Sequence, residues 1–223
     1  MEASLPRRAP RPCRVSTLRR MDDRARPLLE DDLDLDPLRQ FQRWYRVAIE
    51  AVRAPDATAL ATATADGAPS VRMVLLKSFD ERGFVFFTHY ESRKGGQLEE
   101  NPRAALLLYW DPLGRQVRIE GNVERTSREE NEDYFGTRPR ESRLAALASR
   151  QSRPLAGRDE LEARVTELDA ELAGREPPLP ATWGGFRLVP ETYEFWQHRE
   201  NRLHDRFRYR RDRDGWIVER LSP

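Results

Sequence analysis

Residues 59–77 read ALATATADGAPSVRMVLLK, two short β-prone runs on either side of Asp66-Gly67. Asp-Gly between such runs signals a hairpin, because the tight turns that match strand twist need positive φ at their centre. Outward from this hairpin, Gly83 precedes the aromatic and β-branched run Phe84–Thr88. Ala104–Trp110 and Gln116–Arg125 flank the turn-forming Asp111-Pro112-Leu113-Gly114. Five short strands with hairpin-length connections predict an antiparallel barrel rather than alternating strand–helix–strand units. Strands resume at Gly185–Val189, Thr192–Trp196, Arg206–Arg210 and Trp216–Leu221.

Helical segments lie between and before these strands. Leu38, Phe41, Trp44, Tyr45, Ala48 and Val52 recur at helical spacing, predicting a helix over 38–53. Ser92 is placed to cap a short helix ending before Pro102, and Ser127–Glu130 forms a capping box. Pro139 suits the first turn of a helix running to about Ala148, and Leu161, Val165, Leu168 and Leu172 stripe another. The reading is α+β: a single domain over 37–223, with helices packed on a closed or split barrel. The basic, proline-rich opening and the acidic stretch after it make 1–36 an N-terminal arm, read as mobile, with Met21 as an alternative start.

The chain has 223 residues and a formal net charge of +1. That balance gives no reason to expect nucleic acid or an anionic membrane surface as the main partner. No apolar run approaches the roughly 18–20 residues needed to span a bilayer. The single cysteine, Cys13, excludes an intrachain disulfide framework, and with only His89, His198 and His204 beside it no Cys/His metal cluster is expected. These features predict a soluble, cytoplasmic protein without a metal. Only Lys77 and Lys94 are lysines among 39 basic residues. They are either chance survivors of an arginine-biased composition or places where a compact ammonium fits and a planar guanidinium does not.

Four constellations could carry chemistry. Arg72 and Lys77 bracket an apolar strand and could meet an anion, although taken alone they read more simply as strand ends reaching into water. Ser92-Arg93-Lys94-Gly95-Gly96 follows a strand and opens a helix, which suits a phosphate. Tyr134, Arg138 and Ser142 cluster around the Pro139 helix start, where bidentate phosphate binding and ordinary capping are both possible. Glu194-Phe195-Trp196-Gln197, followed after four residues by Arg202-Leu203-His204-Asp205-Arg206, is the most specific string.

That last string closely resembles the C-terminal signature of the pyridoxamine/pyridoxine 5′-phosphate oxidase family. R-M-V-L-L-K at 72–77, S-R-K at 92–94, R-Q-V at 115–117, R-P-R-E-S at 138–142, Q-S-R at 151–153 and W-G-G-F at 183–186 follow in the family's order. The resemblance covers roughly residues 37–223. It implies an FMN-binding split β-barrel, antiparallel and Greek-key-like with peripheral helices, working as a homodimer with the flavin at the interface. It further implies oxidation of pyridoxamine or pyridoxine 5′-phosphate to pyridoxal 5′-phosphate, with O2 reduced to H2O2, in vitamin B6 salvage or biosynthesis.

Carried across by position, the resemblance assigns FMN contacts to Arg72, Met73, Val74, Leu75, Leu76, Lys77, Phe87, Thr88, Arg93, Lys94, Gln116, Gln151, Ser152, Trp196 and Arg206. Substrate contacts fall on Lys77, Tyr134, Arg138, Ser142, Arg202 and His204, the last two catalytic. On this scheme Arg72, Arg93 and Lys94 hold the flavin phosphate. Lys77, Tyr134, Arg138 and Ser142 hold the substrate phosphate, and Arg202 with His204 orients the pyridine ring. Phe87 and Leu147 stand where the family often has tyrosine and tryptophan, and Arg19-Arg20-Met21-Asp22-Asp23 lacks the tyrosine of the family's N-terminal lid. Competing readings are a phenazine-pathway-type flavin oxidase on the same scaffold and a non-catalytic carrier of FMN or pyridoxal phosphate.

Overall fold

The computed structural model describes residues 26–213 and 215–223. Its nine described strands are β1 (Ala57–Ala63), β2 (Pro69–Leu75), β3 (Ser78–Asp80), β4 (Gly83–His89), β5 (Arg103–Trp110), β6 (Arg115–Arg125), β7 (Trp183–Gln197), β8 (Asp205–Asp212) and β9 (Gly215–Arg220). Five helices accompany them: α1 (Pro37–Ala51), α2 (Arg93–Glu100), α3 (Arg128–Thr137), α4 (Arg140–Ala148) and α5 (Arg158–Leu172).

All strand pairs are antiparallel, in the order β2-β1-β5-β6-β7-β4-β3, with β8 and β9 continuing from the C-terminal half of β7. The two ends of that order, β2 and β3, are consecutive in the chain and form two arms of one bent strand. At the bend Lys77 N–H donates to the Val85 carbonyl at 2.8 Å, so the curled sheet closes on itself there. Lys77 therefore sits at the barrel's seam rather than inside a strand.

Alternation along β1, β5 and β6 turns Leu60, Leu106, Leu108, Val117 and Ile119 inward, all essentially inaccessible. α1 lays Leu38, Phe41, Trp44 and Ala48 over this core. The Phe41 ring meets Phe79 and Phe84 edge-on at 4.9 and 5.0 Å, a favoured aromatic geometry. Asp36 caps α1 by accepting from Leu38 N–H at 2.9 Å. A smaller second cluster of Phe135, Ala146 and Trp183, with Phe87, Tyr134 and Leu179 against it, lies under α3 and α4.

Three expectations change in detail. The two strands expected over 185–189 and 192–196 are one, β7, which runs through Pro190. A register shift between Glu120 and Gly121 puts Pro190 opposite Gly121, so the missing N–H falls at an irregularity of the ladder. Pro139 is the N-cap of α4 rather than its first residue, and Ser142 N–H donates to the Pro139 carbonyl at 3.0 Å. The Ser142 amide is therefore not a free anion donor.

The domain boundary at 36/37 also lacks a structural break. Leu28 is buried, its N–H donates to Asp205 Oδ2 at 3.1 Å, and Arg220 Nε bonds Glu30 at 2.7 Å, so 28–36 pack on β8 and β9. The rest of the expected arm, residues 1–25, lies outside the described residues. Among the described residues no helix is long and apolar enough to cross a membrane.

Candidate active site

A cavity of about 520 Å³ opens between β2, β4, α2, α3 and α4. Its cationic corner is built by the turn from β4 into α2. Ser92 caps α2, its hydroxyl accepting from Gly95 N–H at 3.3 Å and donating to the His89 carbonyl at 2.7 Å. A Cβ at Gly95 would collide with the Tyr90 carbonyl, which is why the turn needs glycine there.

Lys94 Nζ donates to Gln151 Oε1 at 2.7 Å, Thr88 Oγ1 at 2.9 Å and Ser92 Oγ at 3.3 Å. Three oxygens around one nitrogen match an ammonium and not a planar guanidinium, a physical reason for lysine at this position. Burial, together with the nearby Arg72 charge, pulls the Lys94 ammonium down to about 8. Arg72 is itself lowered by burial and by Arg93. Arg72 donates to the Leu60 carbonyl at 3.0 Å, Thr62 Oγ1 at 2.7 Å, Gln97 Oε1 at 3.3 Å and the Ser70 hydroxyl. Among the described residues neither Arg72 nor Lys94 has a carboxylate partner.

The opposite wall is aromatic. Phe87, Tyr134 and Trp183 lie nearly parallel, with Phe87–Tyr134 centroids 3.9 Å apart and Phe87–Trp183 5.3 Å. The Arg138 guanidinium stands 4.9 Å over Trp183, its Nη1 buried without a hydrogen-bond partner among the described residues. Burial lowers its pKa. Lys77 pairs with Asp56 at 3.2 Å, so among the described residues it alone of the cavity's cations carries a counter-charge.

The placement of α3, which carries Tyr134 and ends at Arg138, depends on a buried amide. Asn131 Oδ1 accepts from Gly185 N–H at 2.7 Å and Thr126 Oγ1 at 2.6 Å, while its Nδ2 donates to Tyr90 Oη at 3.2 Å. A Cβ at Gly184 would strike Tyr90 Oη, and one at Gly185 would crowd Thr126 Oγ1. The glycine pair of W-G-G-F is thus the condition for this contact between helix and sheet.

A second hollow of about 600 Å³ is lined by Trp196, His198, Arg199, Glu200, Asn201, Arg202 and His204. Asn201 and Arg202 are consecutive left-handed residues with φ of 54° and 62°. His204 Nδ1 accepts from Arg199 N–H at 3.1 Å, which leaves the proton of the neutral ring on Nε2. Desolvation and the charges of His198, Arg202 and Arg206 lower its pKa, so the neutral form prevails at pH 7. Gln116, Trp196 and Arg206 are in cross-strand register on β6, β7 and β8, and Arg206 Nε is anchored on Glu194 at 2.9 Å.

The structure therefore divides the expected site residues. Met73, Val74, Leu75, Lys77, Phe87, Thr88, Lys94, Tyr134, Arg138, Ser142 and Gln151 line the first cavity; Trp196, Arg202 and His204 line the second. Arg72 stands behind Lys94, Arg93 is exposed, and Ser152 occupies an exposed turn with φ 73°. Leu76 departs from the expectation of a cofactor contact: at 4% exposure it belongs to the main core, because the strand bend turns it inward. Trp183, Gln97 and Asn131 went unassigned in the sequence. Trp183 was signalled by its motif, whereas the two buried amides act across 25 and 54 residues and leave no local pattern.

A curled antiparallel barrel whose cavity sets cations beside an aromatic wall defines a split-barrel protein. Comparison with known proteins agrees. Residues 47–171 match the family model described as pyridoxamine 5′-phosphate oxidase, and 183–223 match the pyridoxine 5′-phosphate oxidase C-terminal dimerisation region. The chain is 57% identical over 210 residues to a pyridoxine/pyridoxamine 5′-phosphate oxidase of Rubrobacter xylanophilus, covering 94% of this chain and 96% of the relative. It is 54% identical over 211 residues to the protein of that name from Bordetella petrii, covering 94% and 99%.

Among solved structures, PhzG from Burkholderia lata, in complex with tetrahydrophenazine-1-carboxylic acid, aligns with a TM-score of 0.83 at 38% identity over 90% of this chain and 100% of that one. An FMN-binding, pyridoxamine 5′-phosphate oxidase-related protein from Nostoc punctiforme shares the fold at a TM-score of 0.69 and 18% identity, covering 86% of this chain and 100% of the other. The chain belongs to the pyridoxamine 5′-phosphate oxidase family.

Proposed function

We propose that this protein oxidises pyridoxamine 5′-phosphate or pyridoxine 5′-phosphate to pyridoxal 5′-phosphate, with FMN as cofactor and O2 as final acceptor, serving vitamin B6 salvage or biosynthesis. The observation that carries the reading is the pair of cationic positions in one cavity, each lacking an anion. Two half-buried cations side by side, Arg72 and Lys94, oppose each other unless a multiply charged group joins them. Arg138, with an orphaned buried nitrogen over Trp183, is a second such position. An FMN phosphate suits the first; a substrate phosphate suits the second, with Tyr134, Ser142 and Lys77 around it.

FMN, when bound, would supply the two-electron acceptor for the hydride of substrate C4′, with O2 as the final acceptor and H2O2 as its product. The chain's own residues position and polarise. Arg72, Arg93 and Lys94 neutralise the cofactor phosphate, and Thr88 and Gln151 hold Lys94 in place. Lys77 exchanges Asp56 for the substrate phosphate. Arg202 and the His204 Nε2–H, held by the 199–204 loop, orient the pyridine ring. With the amine substrate, water converts the resulting imine to aldehyde and ammonia.

The two hollows belong to one site when two copies pack together. Val71, Met73, Leu75 and Tyr109 are 47–68% exposed on the outer face of the sheet, the face that also carries Gln116, Trp196 and Arg206. An apolar patch of this kind on a barrel wall favours burial against another subunit. A homodimer across this face brings the 196–206 segment of one copy to the cationic cavity of the other.

The test is to purify the protein, record bound flavin absorbance, add pyridoxamine 5′-phosphate in air and follow aldehyde and peroxide together. Stoichiometric formation of both is expected; flavin without turnover makes the protein a carrier. The likeness to PhzG favours one alternative, an oxidase of larger aromatic substrates. Turnover confined to an unphosphorylated aromatic would establish that alternative and leave Arg138, Ser142 and Tyr134 without a role.

A further inference from the structure

The amide of Gln97 is 4% exposed and lies one helical turn after Lys94 on α2. Its Oε1 accepts from Thr62 Oγ1 at 2.7 Å, Ser70 Oγ at 2.7 Å and Arg72 Nη2 at 3.3 Å, while its Nε2 is buried with no partner among the described residues. Thr62 and Ser70 in turn accept from Arg72, so the guanidinium is fixed by oxygens on β1, β2 and α2. Rotating the amide by half a turn would put NH2 against the Arg72 donors, so the orientation is dictated by the arginine. All the acceptors around Arg72 are neutral, and a carboxylate at 97 would saturate its charge.

We propose that Gln97 is a positioning residue for the cofactor phosphate: its neutral amide oxygen fixes the direction of Arg72 without cancelling its charge, leaving that charge for the anion. The inference rests on the reading of Arg72 and Lys94 as the FMN phosphate site. It adds a requirement on the residue behind that site, that it accept hydrogen bonds and carry no charge. One helix then supplies both a cation of the site, Lys94, and the holder of the other, Gln97.

The experiment measures the affinities of FMN and riboflavin for full-length protein freed of flavin, for wild type, Gln97→Glu and Gln97→Met. Riboflavin lacks the phosphate and reports everything except the anion site. Gln97→Glu, isosteric and negative, is expected to weaken FMN about 30-fold or more with riboflavin within about threefold. Gln97→Met, similar in volume but unable to accept from three donors, is expected to weaken FMN about 10-fold with the same selectivity. Equal losses for both ligands, or an unchanged ratio in both variants, would reduce Gln97 to packing of α2 and overturn the proposal. A wild type that binds the two ligands equally would overturn the phosphate-site reading itself, and this inference with it.

Discussion

The cationic cavity and the 196–206 segment solve opposite problems. In the cavity, Arg72, Lys94 and Arg138 are held by neutral oxygens and ring faces, so their charge remains available. In the C-terminal segment Arg206 is tied to Glu194, which also receives Arg118 at 2.7 Å. There the protein fixes direction instead, through consecutive left-handed residues and a histidine whose acceptor nitrogen is occupied. On the proposed function, the first region serves affinity toward anions and the second aims groups at a ring. Charge deletion and aiming defects should therefore be separable.

The largest effect that would break this contrast is expected from Arg202→Ala. Turnover should fall by about 10²–10³-fold while flavin content stays near wild type, since a misdirected reactant costs rate far more than binding. Wild-type turnover in this variant would remove the aiming role. Next, Lys94→Met should weaken FMN by about 10–100-fold, as expected for losing a charge-assisted contact, and leave riboflavin almost unchanged. Equilibrium fluorescence quenching of the two flavins measures both quantities.

A smaller effect sharpens the contrast through pH. With the Lys94 ammonium pulled down to about 8, the cation is lost from the empty site as pH rises through that value. FMN affinity should fall by roughly tenfold between about pH 7.5 and 9.5, with riboflavin flat. The stability of the flavin-free fold runs the other way. Between about 8 and the ordinary lysine value the unfolded chain holds a proton the folded chain has released, so this group's contribution to stability rises with pH. Thermal melts of flavin-free protein across that window give the second sign.

The smallest effect is expected at Asn201. Its φ of 54° suits asparagine better than alanine, so Asn201→Ala should cost about 1 kcal/mol and lower Tm by about 2–4 °C. Turnover should suffer more than FMN affinity, because the loop aims Arg202. Calorimetry and steady-state rates on one preparation give both.

Most of the barrel could be read from the chain because its signals are local. Asp66-Gly67 marks the first hairpin, the Ser92 and Ser127 caps mark α2 and α3, and alternation marks β1 and β5. The parts that escaped are those whose cause lies elsewhere. β3 spans only three residues and exists because the bend after Leu75 brings them beside Val85. β7 survives Pro190 because its ladder to β6 shifts register there, Glu191 being the extra residue between Pro190 opposite Gly121 and Thr192 opposite Glu120. The site motifs named eleven of the seventeen residues that line the cavity, but chain order could not show that Trp196, Arg202 and His204 line a separate hollow. Nor could it show that Lys77 begins with Asp56 as its partner.

The seam at Lys77 has a mechanical consequence. The ring of strands is fastened there by a short β3 and the Lys77–Val85 hydrogen bond, next to the side chain that would grip a ligand also gripped by α3. A molecule spanning that gap would act as a clasp across a short stitch of the wall. Occupancy should then slow amide exchange at residues 76–79 and 84–86 more than anywhere else in the sheet, so the state of the pocket can be followed from the fabric of the barrel itself.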